Sequence, residues 1–384
     1  MKPLVPQYGA AALADVVPSI LAGLGVPDMT PILGLPGARR VCLLLVDGLG
    51  WKSLRSREAE APFLSSLASE REPITAGFPA TTATSIAALG TGLPPGENGV
   101  VGYSFAAADN VMLNALGWHR HADGRPVDLR SRIVPEEFQP HRTAFERAAD
   151  AGVAVSIVAP RDQNGSGLSR AVLRGGRFIS AHTLGDLTSR TLEALRAHDR
   201  AFCYAYHGDL DVLGHVYGPS SDPWRHQLAY VDQLAARIAD GLPHGAMLVI
   251  TADHGMVEIA ADDRVDLDNE PLLQDGVRML GGEARARHVY TESGATDDVF
   301  DAWQDLLGDR AWILRRDDAI AAGWFGPQVD DRVRPRIGDL VVAAQRTLAM
   351  TRTRTEVRLS RFVGQHGSLT PHEQLVPLMV FQKG

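Results

Sequence analysis

Val41–Gly50 reads VCLLLVDGLG, an unbroken apolar run, then an aspartate, then a glycine turn. An uninterrupted run of that length suits a strand buried on both faces, and the end of such a strand opens onto the crevice of a parallel sheet. The same pattern recurs at Val153–Ala159, Ala201–Tyr206 and Met247–Thr251, the last running into Ala252–Gly255 (ADHG). Helical patterns lie between these runs at Thr143–Ala151, Asp186–His198 and Trp224–Ala239. Alternation of this kind predicts an α/β fold whose central sheet is mostly parallel, with helices on both faces. Asp47 and Asp253 then stand where a site is expected.

After Val257 the texture changes. Charge becomes dense, and a strand, helix and strand follow at Ala286–Thr291, Thr296–Leu307 and Ala311–Arg315. Gly338–Ala344 and Leu378–Phe381 read as returning strands. The expectation is one catalytic domain over residues 1–384, with a small α+β cap inserted at roughly 258–345.

The chain has 384 residues, 45% hydrophobic and 22% charged, with a formal net charge of −8. That balance argues against a polymeric nucleic-acid partner, because no basic surface answers a phosphate backbone. No window approaches the ~18 uncharged apolar residues of a membrane span, and the N-terminus lacks a signal-peptide pattern, so a cytoplasmic location is expected. Cys42 and Cys203 lie in apolar runs without metal-ligand spacing and read as reduced core residues.

The chemistry-bearing groups are scattered. Asp47 serves a metal or caps a turn, and Asp253 and His254 together suit one ion or a structured turn. Asp211 and His215, bracketed by glycines after AFCYAY, suggest a loop wrapped around a cation, although a helix would also place i and i+4 on one face. Asp209 is a rival ligand there. His366 lies in Gly364–Gly367 (GQHG), while nearby His372 reads as exposed. A nucleophilic hydroxyl must come from Thr81, Thr82, Thr84 or Ser85, at the start of a helix whose N-terminus favours an anion. Arg285, Arg287 and His288 read as a solvated strand face or an anion contact. Gln163–Leu168 (QNGSGL) reads as a pocket edge or a plain loop, and Trp118, His119 and His121 precede a turn at Asp123–Arg130 (DGRPVDLR).

Taken together, Val46–Gly48, Phe78–Thr82, Thr91–Val101, Asp211–Pro219, Ala252–Met256 and Gly364–Gly367 resemble, in order, the motifs of the alkaline phosphatase superfamily. The resemblance is strongest to its nucleotide pyrophosphatase/phosphodiesterase branch, and it implies an alkaline-phosphatase-like fold. It implies one metal held by Asp211, His215 and His366 and a second held by Asp47, Asp253 and His254, with Thr82 as nucleophile and metal-bound group. The ligand types suit two divalent ions, Zn²⁺ first, with Mn²⁺ or Fe as alternatives. The implied reaction is hydrolysis of a phosphodiester or pyrophosphate bond in a small nucleotide-like molecule through a phospho-threonine. Tyr103 stands where the branch carries a phosphoryl-binding Asn, and Ala80 and Ala83–Ala87 replace a bulkier wall. Substrate preference therefore does not carry over. A phosphomonoesterase or phosphonate hydrolase with the same site is the alternative, and a non-catalytic binding protein the third. SLTP after His366 is also similar to cofactor-independent phosphoglycerate mutases, whereas no sulfatase nucleophile motif is present.

Overall fold

A computed structural model of the chain describes residues 2–108, 111–121 and 126–384. Its central sheet has six strands in the order Leu378–Gln382, Met247–Thr251, Arg40–Val46, Ala201–His207, Ala154–Ala159 and Arg177–Ser180. All neighbours are parallel except the edge strand Leu378–Gln382, which runs antiparallel to Met247–Thr251. Every residue from Val41 to Val46 is buried, as an unbroken apolar run demands of a central strand. Register sets Val46 beside His207 and Leu45 beside Thr251, so three neighbouring strands finish at one level. The expected α/β class holds.

Helices Ala144–Asp150, Leu184–Arg196 and Asp222–Gly241 fall close to their expected positions and pack against the sheet or one another. A capping box is formed at Thr143: its hydroxyl accepts from the N–H of Glu146, whose carboxylate accepts in return from the N–H of Thr143. Cys42 and Cys203 face each other across parallel strands, both buried and unbridged. No helix among the described residues is long and apolar enough to cross a membrane.

A second sheet is wholly antiparallel, in the order Val277–Glu283, Ala286–Thr291, Leu340–Ala344 and Ala311–Arg315. Helix Thr296–Leu307 covers it, and Val299, Trp303, Ile313 and Val342 form a core separate from the main one.

The reading of Arg285, Arg287 and His288 as a solvated face is overturned. All three are buried, because Ala286–Thr291 is an interior strand closed over by the C-terminal segments. Arg285 grips Glu373 with two bonds, Nε to Oε1 at 3.0 Å and Nη2 to Oε2 at 2.7 Å. Arg287 grips Glu356 with Nη1 to Oε1 at 2.9 Å and Nη2 to Oε2 at 2.8 Å. Glu373 also accepts from the Ser368 N–H at 2.9 Å, which ties the second sheet to the turn carrying His366. Removing one partner of such a pair strands a buried charge, at a cost of about 3–5 kcal/mol. Arg285→Met is therefore expected to lower the urea midpoint sharply, and Arg285→Met/Glu373→Leu to recover much of the loss. Equal midpoints for Arg285→Met and the unsubstituted chain would remove the assigned role.

Candidate metal centre and active site

The three strands that end together supply most of the centre. Asp47 directly follows the middle strand, and its N–H donates to the carbonyl of His207 at 2.9 Å. Gly48 then turns with φ +74°, and a Cβ there would meet the Asp211 Cα at 3.0 Å, so the close approach of the two aspartates requires glycine. Asp253 uses its Oδ1 to accept from the N–H groups of Gly48 (2.9 Å) and His254 (3.0 Å).

Asp211 and His215 are not in a loop. They lie one turn apart on helix Asp209–Tyr217, which begins almost at once after the strand Ala201–His207. Gly214 lets that helix press on Met256, since a Cβ there would come within 2.6 Å of the sulfur. His366 arrives from across the centre, after the short strand Gly364–Gln365 pairs with Val257–Glu258. Asp209 and His372 are both exposed, and neither joins the metal-ligand clusters.

Hydrogen bonding leaves each group one free coordinating atom. The Nδ1 of His215 lies 2.8 Å from the carbonyl of Gly364, that of His254 3.1 Å from Gly255, and that of His366 2.9 Å from Ala80. A carbonyl only accepts, so each Nδ1 carries the proton and each Nε2 presents a lone pair. The Nε2 atoms of His215 and His366 are 3.2 Å apart. Two lone pairs facing at that distance repel unless a cation lies near. Tyr206 donates to Asp47 Oδ2, leaving Oδ1 free. Asp47 Oδ1, Asp211 Oδ1 and Asp253 Oδ2 are buried without a hydrogen-bond partner.

Ligand atoms within 4.8 Å of one another form two groups, Asp47–Asp253–His254 and Asp211–His254–His366. His254 thus belongs to both. His215 is in neither group, but its Nε2 lies 3.4 Å from Asp211 Oδ2.

Electrostatics records the strain of this crowding. Burial, with repulsion from Asp253 and Asp211, pushes the Asp47 carboxyl well above the usual carboxylate range. Burial likewise raises Asp253, and it lifts Asp211 to about 6 against the pull of His215. Burial lowers His254 to about 3 and also depresses His366, so both imidazoles stay neutral at ordinary pH.

Thr82 opens helix Thr82–Thr91, and its Oγ1 lies 3.3 Å from His254 Nε2. The rival hydroxyls are otherwise engaged: Thr81 donates to Glu283, Thr84 to the carbonyl of Val100 and Ser85 to that of Asp253. Because Thr81 does not cap the helix, its first N–H groups are left to face an anion.

Two cavities meet at Thr82 and Asp211. The larger, about 670 Å³, is walled by Tyr103, Glu283, Arg358 and Phe362 among others. The smaller, about 370 Å³, carries Gln163, Ser166 and Leu168, so the QNGSGL segment does border the site. Tyr103 stands edge-on to His121, whose Nε2 is 3.0 Å from Glu356. Trp118 is core, with its indole N–H donating to Ile133. Of the turn expected at Asp123–Arg130, Asp123–Arg125 lie outside the described residues.

Two contributors escaped the sequence reading. Tyr206 looked like one more apolar strand residue. Glu283, 3.2 Å from Thr81 and 3.8 Å from His366, sits in a hairpin with no motif around it. Its nearness to the centre depends wholly on how the second sheet docks.

The family model described as type I phosphodiesterase/nucleotide pyrophosphatase matches residues 41–369. The chain belongs to that family. Solved structures similar to this phosphodiesterase-family chain include murine ectonucleotide pyrophosphatase/phosphodiesterase 5. That match has a TM-score of 0.67 at 16% identity, covering 88% of this chain and 87% of that one. Phosphonoacetate hydrolase from Sinorhizobium meliloti 1021, in complex with phosphonoformate, aligns with a TM-score of 0.65 at 19% identity, covering 90% of each chain. Both likenesses show the alkaline-phosphatase-like fold. A phosphopentomutase of Anaeromyxobacter dehalogenans is 29% identical over 176 residues, 45% of this chain and 42% of the relative. The chain thus matches less than half the length of that curated relative.

Proposed function

We propose that this chain is a two-metal hydrolase that cleaves phosphodiester or pyrophosphate bonds, with Thr82 as the nucleophile. The observation that carries the reading is the convergence of three unpartnered carboxylate oxygens and three Nε2 lone pairs beside the Thr82 hydroxyl. Mixed oxygen and nitrogen donors of this kind fit Zn²⁺, with Mn²⁺ or Fe as alternatives. Asp47, Asp253, His254 and Thr82 would hold one ion, and Asp211, His215 and His366 the other, with His254 close to both. Bound there, the ions would supply positive charge against the phosphoryl oxygens and lower the pKa of the Thr82 hydroxyl.

The chain's own groups do the rest. The uncapped N-terminus of Thr82–Thr91 offers N–H donors and a favourable dipole to a phosphoryl oxygen. Thr82 Oγ1 forms a bond to phosphorus as the ester oxygen on the far side departs, leaving a phospho-threonine that water hydrolyses. Tyr103 lines the cavity that leads to this point and would place its hydroxyl on the substrate. Residues 258–345 would act as a cap, bringing Glu283 to the cavity wall.

Two cavities that share Thr82 and Asp211 as lining give room for two substituents on one phosphorus, which favours a diester over a monoester. An inactive form of the murine structural neighbour has been solved with AMP, a nucleoside monophosphate of the kind that cleavage of a nucleotide pyrophosphate or diester releases. Bis(p-nitrophenyl) phosphate is expected to be hydrolysed with kcat/KM about tenfold or more above that for p-nitrophenyl phosphate. A preference for the monoester would instead install the phosphomonoesterase reading.

A further inference from the structure

The larger cavity has more chemistry than phosphoryl transfer requires. Among its described lining residues Arg358 alone carries a permanent positive charge. No described carboxylate pairs with it. Its neighbour in sequence, Glu356, is already held by Arg287 and His121. The acids on the same wall, Asp211 and Glu283, lie at the catalytic end beside His215, Thr81 and His366. Burial raises the pKa of the Tyr103 hydroxyl, and Arg358 is among the groups that pull it back, so the guanidinium's field reaches that hydroxyl.

Arg358 is itself exposed, and part of the wall of its cavity is apolar. Leu116, Val212 and Val216 line the cavity and expose 38%, 54% and 46% of their surface, and exposed Val357 adjoins Arg358. A substituent seated against that apolar surface would displace water from around the guanidinium and strengthen its pull on an anion. The smaller cavity is the opposite: Asp162, Asp209, Gln163, Ser166 and Ser169 line it, with no Lys or Arg among its described residues. Among the described lining residues of the two cavities, Arg358 is the one that favours a second negative group on the substrate.

We infer that Arg358 selects the substrate by gripping a second anionic group, a carboxylate or a phosphate, on the substituent that fills the larger cavity. The substituent in the smaller cavity is then neutral and hydroxyl-bearing. This rests on the hydrolase reading above.

The test compares kcat/KM for the unsubstituted protein, Arg358→Gln and Arg358→Lys on three substrates. These are bis(p-nitrophenyl) phosphate, a dinucleoside pyrophosphate and a phosphonate ester bearing a carboxylate. For Arg358→Gln, the ratio of kcat/KM on an anion-bearing substrate to that on bis(p-nitrophenyl) phosphate should fall about 10–100-fold. Arg358→Lys should restore part of it, since lysine keeps the charge but loses the planar fork. Whichever anion-bearing substrate shows the fall identifies the source of the anion. Equal losses on all three substrates, or none, overturn the inference. Calorimetric titration of the dinucleoside pyrophosphate and of the carboxylate-bearing phosphonate ester into metal-loaded Thr82→Ala protein, with and without Arg358→Gln, decides the matter independently of turnover. Affinity for both anion-bearing ligands unchanged by Arg358→Gln would overturn the role of Arg358 even if the hydrolase reading stood, whereas absent turnover in the unsubstituted protein with Arg358-dependent binding would overturn only the hydrolase reading.

Discussion

Thr82→Ala is expected to lower kcat on bis(p-nitrophenyl) phosphate by about 10³-fold or more while leaving the fold intact. Removing a covalent nucleophile leaves only binding and electrostatic stabilisation, and losses of that order or greater are typical. Stability should hold, because Thr82 begins a helix in which alanine has the higher propensity, and the deleted hydroxyl has His254 as its one hydrogen-bonding neighbour. Thr82→Ser keeps a hydroxyl at the same place and should retain measurable turnover. Acid quenching during turnover should trap a phosphoryl adduct on the peptide containing Thr82 in the unsubstituted protein and none in Thr82→Ala. If Thr82→Ala turns over at the full rate, the nucleophile is elsewhere and the mechanism fails.

Chelation should abolish turnover, and adding back Zn²⁺ should both restore it and raise the melting temperature. At free metal about 1,000-fold above Kd, mass action contributes about 4 kcal/mol, or on the order of 5 °C for a chain this size. The gain should be larger at pH 8 than at pH 5.5, and the sign follows from the carboxylates. Asp47, Asp253 and Asp211 have raised pKa values in the fold, Asp211 at about 6, through burial and mutual repulsion. The metal-free folded state therefore binds more protons than the unfolded chain between the ordinary carboxylate range and about pH 6 or above. Its stability from these groups falls as pH rises through that window. A cation neutralises the ionised carboxylates and removes the penalty, whereas at lower pH it must first displace protons. His254 and His366, both with lowered values, add no competing protonation across this range. Asp253→Asn replaces a free carboxylate oxygen at the centre and should weaken metal binding and the thermal shift together. Chelator-treated protein with full activity and no thermal response to metal would end the two-metal reading.

Much of the centre was legible because its aspartates obey local rules. An apolar run that ends in Asp47 or in Asp253–His254 announces a buried strand and its carboxyl end within ten residues of sequence. The loop expected around Asp211 and His215 was a helix because Gly208 and Gly218 bracket a stretch long enough for two turns, and glycines read as loop signals. The helical geometry kept both candidate ligands on one face. The buried arginines misled for the opposite reason. Alternating charge in RARHVY resembles an exposed strand, and the carboxylates that satisfy Arg285 and Arg287 lie 88 and 69 residues downstream.

The sequence by itself determined the order of the motifs, the donor types at each strand end and the family to which they belong, since these are set by short-range pattern. Tertiary structure decided the remainder. Which hydroxyl is left free, which oxygen of each aspartate is unpartnered and how His254 lies between two ligand groups depend on crossings between distant segments. So do the approach of Glu283 and the placing of Arg358, with no described carboxylate as partner, in the larger cavity. Hydrogen bonds and burial are properties of three-dimensional neighbours, and no local spacing encodes them.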